Sequence, residues 1–176
     1  PGYGGSCFPK DTRSLVTTAK KFKTNLSIIK SVINSNEQRN TILLSRILKI
    51  MNNKLNNKKI TILGVTFKAG TDDMRESPSL KIIPALARKG AKINYYDPTG
   101  KKHNFNKFNK VKFHNNIIDA CKNCDLLIIH TEWNEFKQIN FKKIVKKKYF
   151  KVFDMRNLYS VSKMKKNNIK YFGIGR

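Results

Sequence analysis

Acidic side chains are scarce. The chain carries 11 Asp and Glu against 37 Lys and Arg, a formal charge of +26 over 176 residues. Cysteine is nearly absent as well. Three Cys cannot build a disulfide framework, and they read as a reduced, cytoplasmic set. No apolar run approaches the ~20 residues a helix needs to span a bilayer, so no membrane-spanning helix is expected. No basic stretch followed by an apolar one opens the chain, so no secretory signal is visible. His103, His114 and His130 lack ligand spacing, and Cys121-Lys-Asn-Cys124 has no second pair beside it. A zinc site needs four ligands, so no metal is expected and these two thiols read as core residues. Arginine is scarce too, with 7 Arg against 30 Lys. Nucleic-acid readers favour the bidentate Arg fork. Lys, Asn and Ile share AT-rich codons, and the chain has 20 Asn and 19 Ile. Base composition therefore accounts for the charge, and no nucleic-acid partner is expected. The positive field still attracts small phosphorylated substrates.

What is present is enough for a core. Hydrophobic residues make up 39%, which suits one domain or a domain with a long helical arm. Residues 1–10 hold three Gly and two Pro and read as a loop. A helix follows from Asp11 to about Lys23, with Asp11 or Thr12 as its cap and Leu15, Val16, Ala19 and Phe22 on one face. Apolar residues from Leu26 to Leu55 then recur at three- and four-residue steps, predicting a central helix of about 30 residues, or roughly 45 Å. Its middle, Asn34 to Asn40, is polar. A helix of that length bridges domains or builds a dimer interface; a solvated kink at Asn34–Asn36 is the alternative.

From Lys59 the period changes. Lys59–Gly64, Ala91–Tyr96, Asp125–His130, Lys151–Asp154 and Lys170–Ile174 read as strands. Helices are expected from Ser77-Pro78 to Gly90, over Asn116–Cys121, and over Asn134–Lys147. The basic aromatic stretch His103–His114 reads as a surface connection. His130 reads as a strand-end filler, and Trp133 and Phe136 as core or interface aromatics. The alternation gives an α/β fold: a long central helix followed by a Rossmann-like parallel sheet. The divisions fall at 1–23 (loop and following helix), 24–58 (central helix) and 59–176 (sheet domain). Ligands of such sheets bind beyond the strands' carboxyl ends.

The sharpest local feature is Gly2-Tyr3-Gly4-Gly5-Ser6-Cys7-Phe8-Pro9-Lys10-Asp11. Its glycines let backbone N–H groups approach a ligand closely. Cys7 lies just before a helix start with Lys10 nearby, a setting that favours the thiolate, a strong nucleophile toward carbonyl carbon. Asp11 is placed to orient a water or take a proton. The alternative is a buried Cys in a tight turn beside a helix cap.

Residues 4–12, Gly-Gly-Ser-Cys-Phe-Pro-Lys-Asp-Thr, resemble the catalytic loop of the UDP-glucose/GDP-mannose dehydrogenase family. Gly64-Val-Thr-Phe-Lys-Ala-Gly-Thr-Asp-Asp-Met-Arg-Glu-Ser-Pro78 is similar to the signature that opens the family's nucleotide-sugar domain. Thr131–Phe136 and Phe153–Asn157 are similar to its later motifs. The resemblance covers essentially the whole chain. It implies oxidation of UDP-glucose to UDP-glucuronate with two NAD, through a thiohemiacetal and a thioester on Cys7. It assigns Asp11 to positioning or deprotonating water, Tyr3 and Gly4 to closing over the sugar, and Phe67, Lys68 and Arg156 to the nucleotide sugar. Lys10 and Arg75 are assigned to NAD. Arg75 has an alternative partner in Asp72, Asp73 or Glu76, and Arg156 in Asp154. Phe8 stands where GDP-mannose members often carry Leu, and Ser6 and Lys10 point away from the N-acetyl-sugar members. The resemblance also implies a homodimer through the central helix. The family's cofactor domain carries G-x-G-x-x-G, and this sequence has none: Gly2 and Gly4 are followed by Cys7 at the third position. The chain therefore reads as the C-terminal portion of a longer enzyme, inactive alone. A non-catalytic nucleotide-sugar-binding fragment and a GDP-mannose dehydrogenase are the alternatives.

Overall fold

The computed structural model describes residues 1–145 and 149–175. The first helix, α1 (Cys7–Lys21), starts four residues before the expected Asp11. Pro9 is tolerated in the first turn, where its missing N–H would have no intrahelical acceptor. Thr12 caps nothing: its hydroxyl folds back to donate to the Phe8 carbonyl at 2.9 Å. Half of the glycine-loop motif is thus helix.

The central helix, α2 (Ser27–Ile50), runs unbroken for 24 residues, about 36 Å. The polar middle does not interrupt it. It stops before the expected Leu55 because Asn52 and Asn53 adopt positive φ, 51° and 57°, a conformation Asn tolerates better than most side chains. The Lys151 ammonium donates to the Ile50 carbonyl at 2.8 Å, satisfying one orphan acceptor at the helix end.

Six strands follow: β1 (Lys59–Leu63), β2 (Lys92–Tyr96), β3 (Val111–Phe113), β4 (Leu126–Ile129), β5 (Lys151–Asp154) and β6 (Lys170–Gly173). They form one sheet in the order β3-β2-β1-β4-β5-β6, and every pairing is parallel. This is the doubly wound arrangement, whose strand order reverses between β1 and β4. The central strand β4 is buried at all four residues, as a parallel sheet covered on both faces requires.

Helices α2 and α3 (Ser79–Arg88) cover one face. There Leu43, Ile47, Ile82, Ile83 and Leu86 pack on Ile60, Ile62 and Ile93. The other face is covered by α4 (Ile117–Cys121), α5 (Phe141–Ile144) and α6 (Val161–Lys166). Cys121, Phe141, Ile144 and Met164 meet Leu63, Leu127, Ile129 and Val152.

The five expected strands are present. The sixth, β3, was hidden in the segment read as a surface connection. Its three residues are too short for a periodic signal. Phe105 and Phe113 of that segment pack on Tyr95, with ring centroids 5.3 Å and 5.4 Å away. The helix expected over 134–147 is instead a short 3-10 turn (Asn134–Gln138) and then α5. Asn140 breaks the run by accepting a hydrogen bond from the Lys142 N–H at 3.1 Å, an N-cap. Lys146 and Lys147, the end of that expected helix, lie outside the described residues. Cys121 and Cys124 are both buried.

Candidate active site

In a doubly wound sheet the ligand crevice is expected beyond the strands' carboxyl ends where the order reverses, here at β1 and β4. Gly64 ends β1 at φ 73°, and a Cβ there would sit 2.5 Å from the Thr131 Cβ. Only glycine lets the two strand ends approach so closely. The following loop, residues 65–77, is tied down from three sides. The buried Asp97 carboxylate, just past β2, accepts from the Val65 N–H at 2.7 Å and the Thr66 N–H at 3.4 Å. The Ser77 hydroxyl donates to the Val65 carbonyl at 2.7 Å, and the Ser79 hydroxyl donates to the same oxygen. In a dinucleotide-binding sheet, an acid in this region takes a ribose hydroxyl. Here it holds the loop.

The glycine loop seats on that segment. The Gly5 N–H donates to the Arg75 carbonyl at 2.8 Å. A Cβ on Gly4 would lie 2.7 Å from the Glu76 carbonyl oxygen, and one on Gly5 2.9 Å from the Phe67 ring. Both glycines are therefore required for the approach. Tyr3 stacks edge-to-face on Phe8, centroids 4.7 Å apart. Its backbone bonds reciprocally with Asn36 of α2: the Tyr3 N–H donates to Oδ1 at 3.0 Å, and Nδ2 donates to the Tyr3 carbonyl at 3.1 Å. The Arg13 fork reaches Glu76 at 3.1 Å and 3.5 Å and lies 3.9 Å from Glu37.

Cys7 is exposed, with Sγ 3.5 Å from the Ser6 hydroxyl. It is the first residue of α1. Lys10 and Asp11 follow three and four residues later, so all three share one face of the helix. Lys10 and Asp11 pair with each other at 3.7 Å, both well exposed. Arg75 makes one of its anticipated alternative contacts, the one to Asp73: Nε and Nη2 grip that carboxylate at 3.0 Å and 2.9 Å. That bond holds the Asp73 carboxyl below the usual range and raises the guanidinium further. Lys68 is exposed, its ammonium 5.5 Å from the Phe67 ring centroid.

Arg156 follows β5 and does not pair with Asp154. Its Nε donates to the His130 carbonyl and its Nη2 to the Phe67 carbonyl, both at 3.0 Å. The charge is answered by Glu132, 2.8 Å from Nε. Burial lowers the guanidinium pKa and Glu132 opposes the shift. Asp154 instead accepts from the Arg156 and Tyr159 N–H groups and the Tyr171 hydroxyl. His130 is buried beneath this network. Burial first, then the Arg156 charge, push its pKa down to about 3, against a smaller effect of a backbone bond to Gly64. It stays neutral.

Tyr3, Gly4, Phe67, Arg75 and Arg156 thus belong to one connected cluster, with Cys7 at its edge and Lys68 beside Phe67. Lys10 and Asp11 face solvent along α1. Sequence reasoning missed Asn36, Arg13, Glu76 and Asp97. For Asn36 a signal existed in the polar stretch inside an otherwise apolar helix. Among the described residues no three His, Cys, Asp or Glu gather as metal ligands. None of the described helices is long and apolar enough to cross a membrane.

The structure thus combines a doubly wound sheet with a cysteine-bearing glycine loop seated on its first βα loop. Residues 61–161 match the UDP binding domain of the UDP-glucose/GDP-mannose dehydrogenase family, and residues 1–38 match its central domain. The chain belongs to this family. It is 38% identical over 179 residues to a UDP-glucose 6-dehydrogenase of Rickettsia prowazekii, covering 99% of this chain and 41% of the relative. It is 35% identical to the UDP-glucose 6-dehydrogenase YwqF of Bacillus subtilis, covering 99% of this chain and 40% of that protein. A solved UDP-glucose dehydrogenase from Pyrobaculum islandicum superposes with a TM-score of 0.79 at 25% identity, covering 98% of this chain and 38% of that one. The chain spans about two fifths of the length of these relatives.

Proposed function

We propose that this chain is the C-terminal part of an NAD-dependent UDP-glucose 6-dehydrogenase, acting in the cytoplasm. In this reading residues 1–23 carry the nucleophile, 24–58 the central helix, and 59–176 hold the nucleotide sugar. The carrying observation is the seating of the Cys7 loop on the first βα loop, through the Gly5–Arg75 hydrogen bond and the glycine contacts with Phe67 and Glu76. The exposed thiol beside that loop supports the reading, since such sheets bind ligands beyond their strand ends.

The chemistry follows from the residue types. When bound, NAD supplies a hydride acceptor, and the oxidation of an alcohol to an acid calls on it twice. The Cys7 thiolate adds to the C6 aldehyde, forming a C–S bond and a thiohemiacetal. Loss of hydride leaves a thioester, and water displaces the thiolate to give the carboxylate. Sulfur serves both the addition and the release. Asp11, one helical turn from Cys7, takes the role of orienting that water. Tyr3 and Gly4 close over the sugar, and Lys68, Phe67 and Arg156 bind the nucleotide diphosphate side. Lys10 and Arg75 fit the anionic NAD as exposed cations near Cys7. The sheet itself does not fit a dinucleotide, because Asp97 is turned onto the backbone and the first loop lacks G-x-G-x-x-G. The chain alone is thus expected to bind nucleotide sugar without turnover.

The homodimer through α2 belongs to the same proposal. Ile28, Val32 and Ile42 are 76%, 40% and 54% exposed on that helix, apolar surface that a partner helix would cover. Light scattering showing a monomer would remove it. Calorimetry with UDP-glucose tests the main reading. Binding is expected and weakens roughly tenfold for Lys68→Ala, the scale of one charge-assisted contact. No binding to the unsubstituted chain would contradict the proposal.

A further inference from the structure

The polar middle of α2 has an unexplained member. Asn36 lies among residues that sequence alone reads as solvated, yet it makes two hydrogen bonds to a backbone 33 residues away. Its amide accepts from the Tyr3 N–H and donates to the Tyr3 carbonyl. That is the pairing a neighbouring strand would supply, delivered by one side chain. No other side chain of similar length offers a donor and an acceptor in this fixed fork.

The position matters because of what surrounds it. The loop from Gly2 to Ser6 contains three glycines and would sample many conformations unheld. Two backbone anchors hold it: Asn36 at Tyr3, and the Arg75 carbonyl at Gly5. Cys7 follows two residues after the second anchor. The fit at the first is close: a Cβ on Gly2 would stand 2.7 Å from the Asn36 Oδ1. Nearby, Arg13 bridges α1 to Glu76 of the βα loop and approaches Glu37, the residue after Asn36. The helix α2 is therefore the post to which the nucleophile's loop is fixed.

We infer that Asn36 is a positioning residue: its side-chain amide fixes the Tyr3 backbone and thereby sets where Cys7 stands relative to the Phe67–Glu76 loop. The inference rests on the proposed role of Cys7 for its catalytic consequence, but not for its structural one. Asn36 bonds the Tyr3 backbone and acts on Cys7 only through the loop between them.

Two measurements test it. In the present chain, amide exchange by NMR is compared among the unsubstituted protein, Asn36→Ala, and Gln38→Ala as a control on the same helix. Asn36→Ala is expected to speed exchange at Tyr3 and also at Gly5 by about tenfold, because opening one anchor releases the other. The α2 amides remain protected, which separates loop release from unfolding. Unchanged exchange at Gly5 would overturn the inference. In the intact parent enzyme, Asn36→Ala is expected to lower kcat for UDP-glucose oxidation by about 10- to 100-fold, as a nucleophile displaced by about 1 Å would. KM for UDP-glucose should move less than about threefold, since ground-state binding is untouched. Asn36→Asp keeps the acceptor for the Tyr3 N–H but not the donor, and should fall between. A rise in KM with kcat preserved would overturn the inference. If the unsubstituted parent does not oxidise UDP-glucose at all, the dehydrogenase proposal fails, and the Gly5 exchange still decides whether Asn36 holds the loop.

Discussion

His130 makes acid stability a measure of how the crevice is built. The imidazole is 1% exposed and lies beneath Arg156, which donates to the His130 carbonyl. Protonation there would bury a cation beside another cation, so the pKa falls from 6.5 to about 3. The unfolded chain takes up a proton near pH 6.5; the folded one resists until about pH 3. The unfolded state thus binds more protons in between, and stability is lost as pH falls. The contribution is fully present above pH 6.5. From pH 7 to pH 4.5 it drops by about 2.5 kcal/mol, from a little under two units at about 1.4 kcal/mol each. Replacing His130 by Gln removes this proton uptake while retaining a polar side chain. At pH 7 the variant is expected to lose about 1–3 kcal/mol through imperfect packing. Its decline toward acid should then be shallower than that of the unsubstituted chain by about 2.5 kcal/mol between pH 7 and 4.5. Urea unfolding at pH 7, 6, 5 and 4.5 reads the difference, and other titrating groups cancel between the two proteins. Parallel curves would refute the reasoning.

Other perturbations probe the remaining links. Gly64→Ala forces a Cβ to 2.5 Å from Thr131 at positive φ; the cost is about 2–5 kcal/mol, seen in calorimetry as a melting point lower by roughly 5–15 °C. Arg13→Met removes an exposed ion pair to Glu76 and should change stability by less than about 1 kcal/mol; a larger loss in urea unfolding would mean the bridge organises more than its own contact. Phe67→Ala takes away the ring against which Gly5 packs; it should weaken UDP-glucose binding in calorimetry several-fold, on the scale of about 1 kcal/mol for a partly buried aromatic, and unchanged binding would separate the loop's seat from the sugar's.

The sheet was legible because fully buried parallel strands declare themselves as short apolar runs, and Leu126–Ile129 is one such run. The edge strand was not, because Val111–Phe113 is three residues paired on one side only. The start of α1 was misplaced by giving Pro9 the weight of a breaker, whereas a proline in the first turn costs nothing. At the site, Cys7 was legible from its own loop, whereas Phe67 and Arg75 came only from the family resemblance. What holds them was largely hidden for a physical reason, the polar stretch around Asn36 being its one faint trace. Asn36, Asp97 and Arg13 act on backbone or on partners tens of residues away, and no local period records such a contact. Arg156 shows the same limit: a salt bridge to its near neighbour Asp154 was the local alternative, while the fold turns its guanidinium to Phe67 and His130.

The central claim is a covalent bond between C6 of the sugar and the sulfur of Cys7. It is read most directly by supplying the intact parent enzyme with UDP-glucose and NAD, quenching during turnover, and locating the added mass by peptide mass spectrometry. The account predicts a glucuronyl adduct on the peptide containing Cys7, sensitive to hydroxylamine as a thioester is, and loss of UDP-glucuronate formation in Cys7→Ser. Undiminished UDP-glucuronate formation by the serine variant, or an adduct elsewhere with Cys7 free, would contradict it.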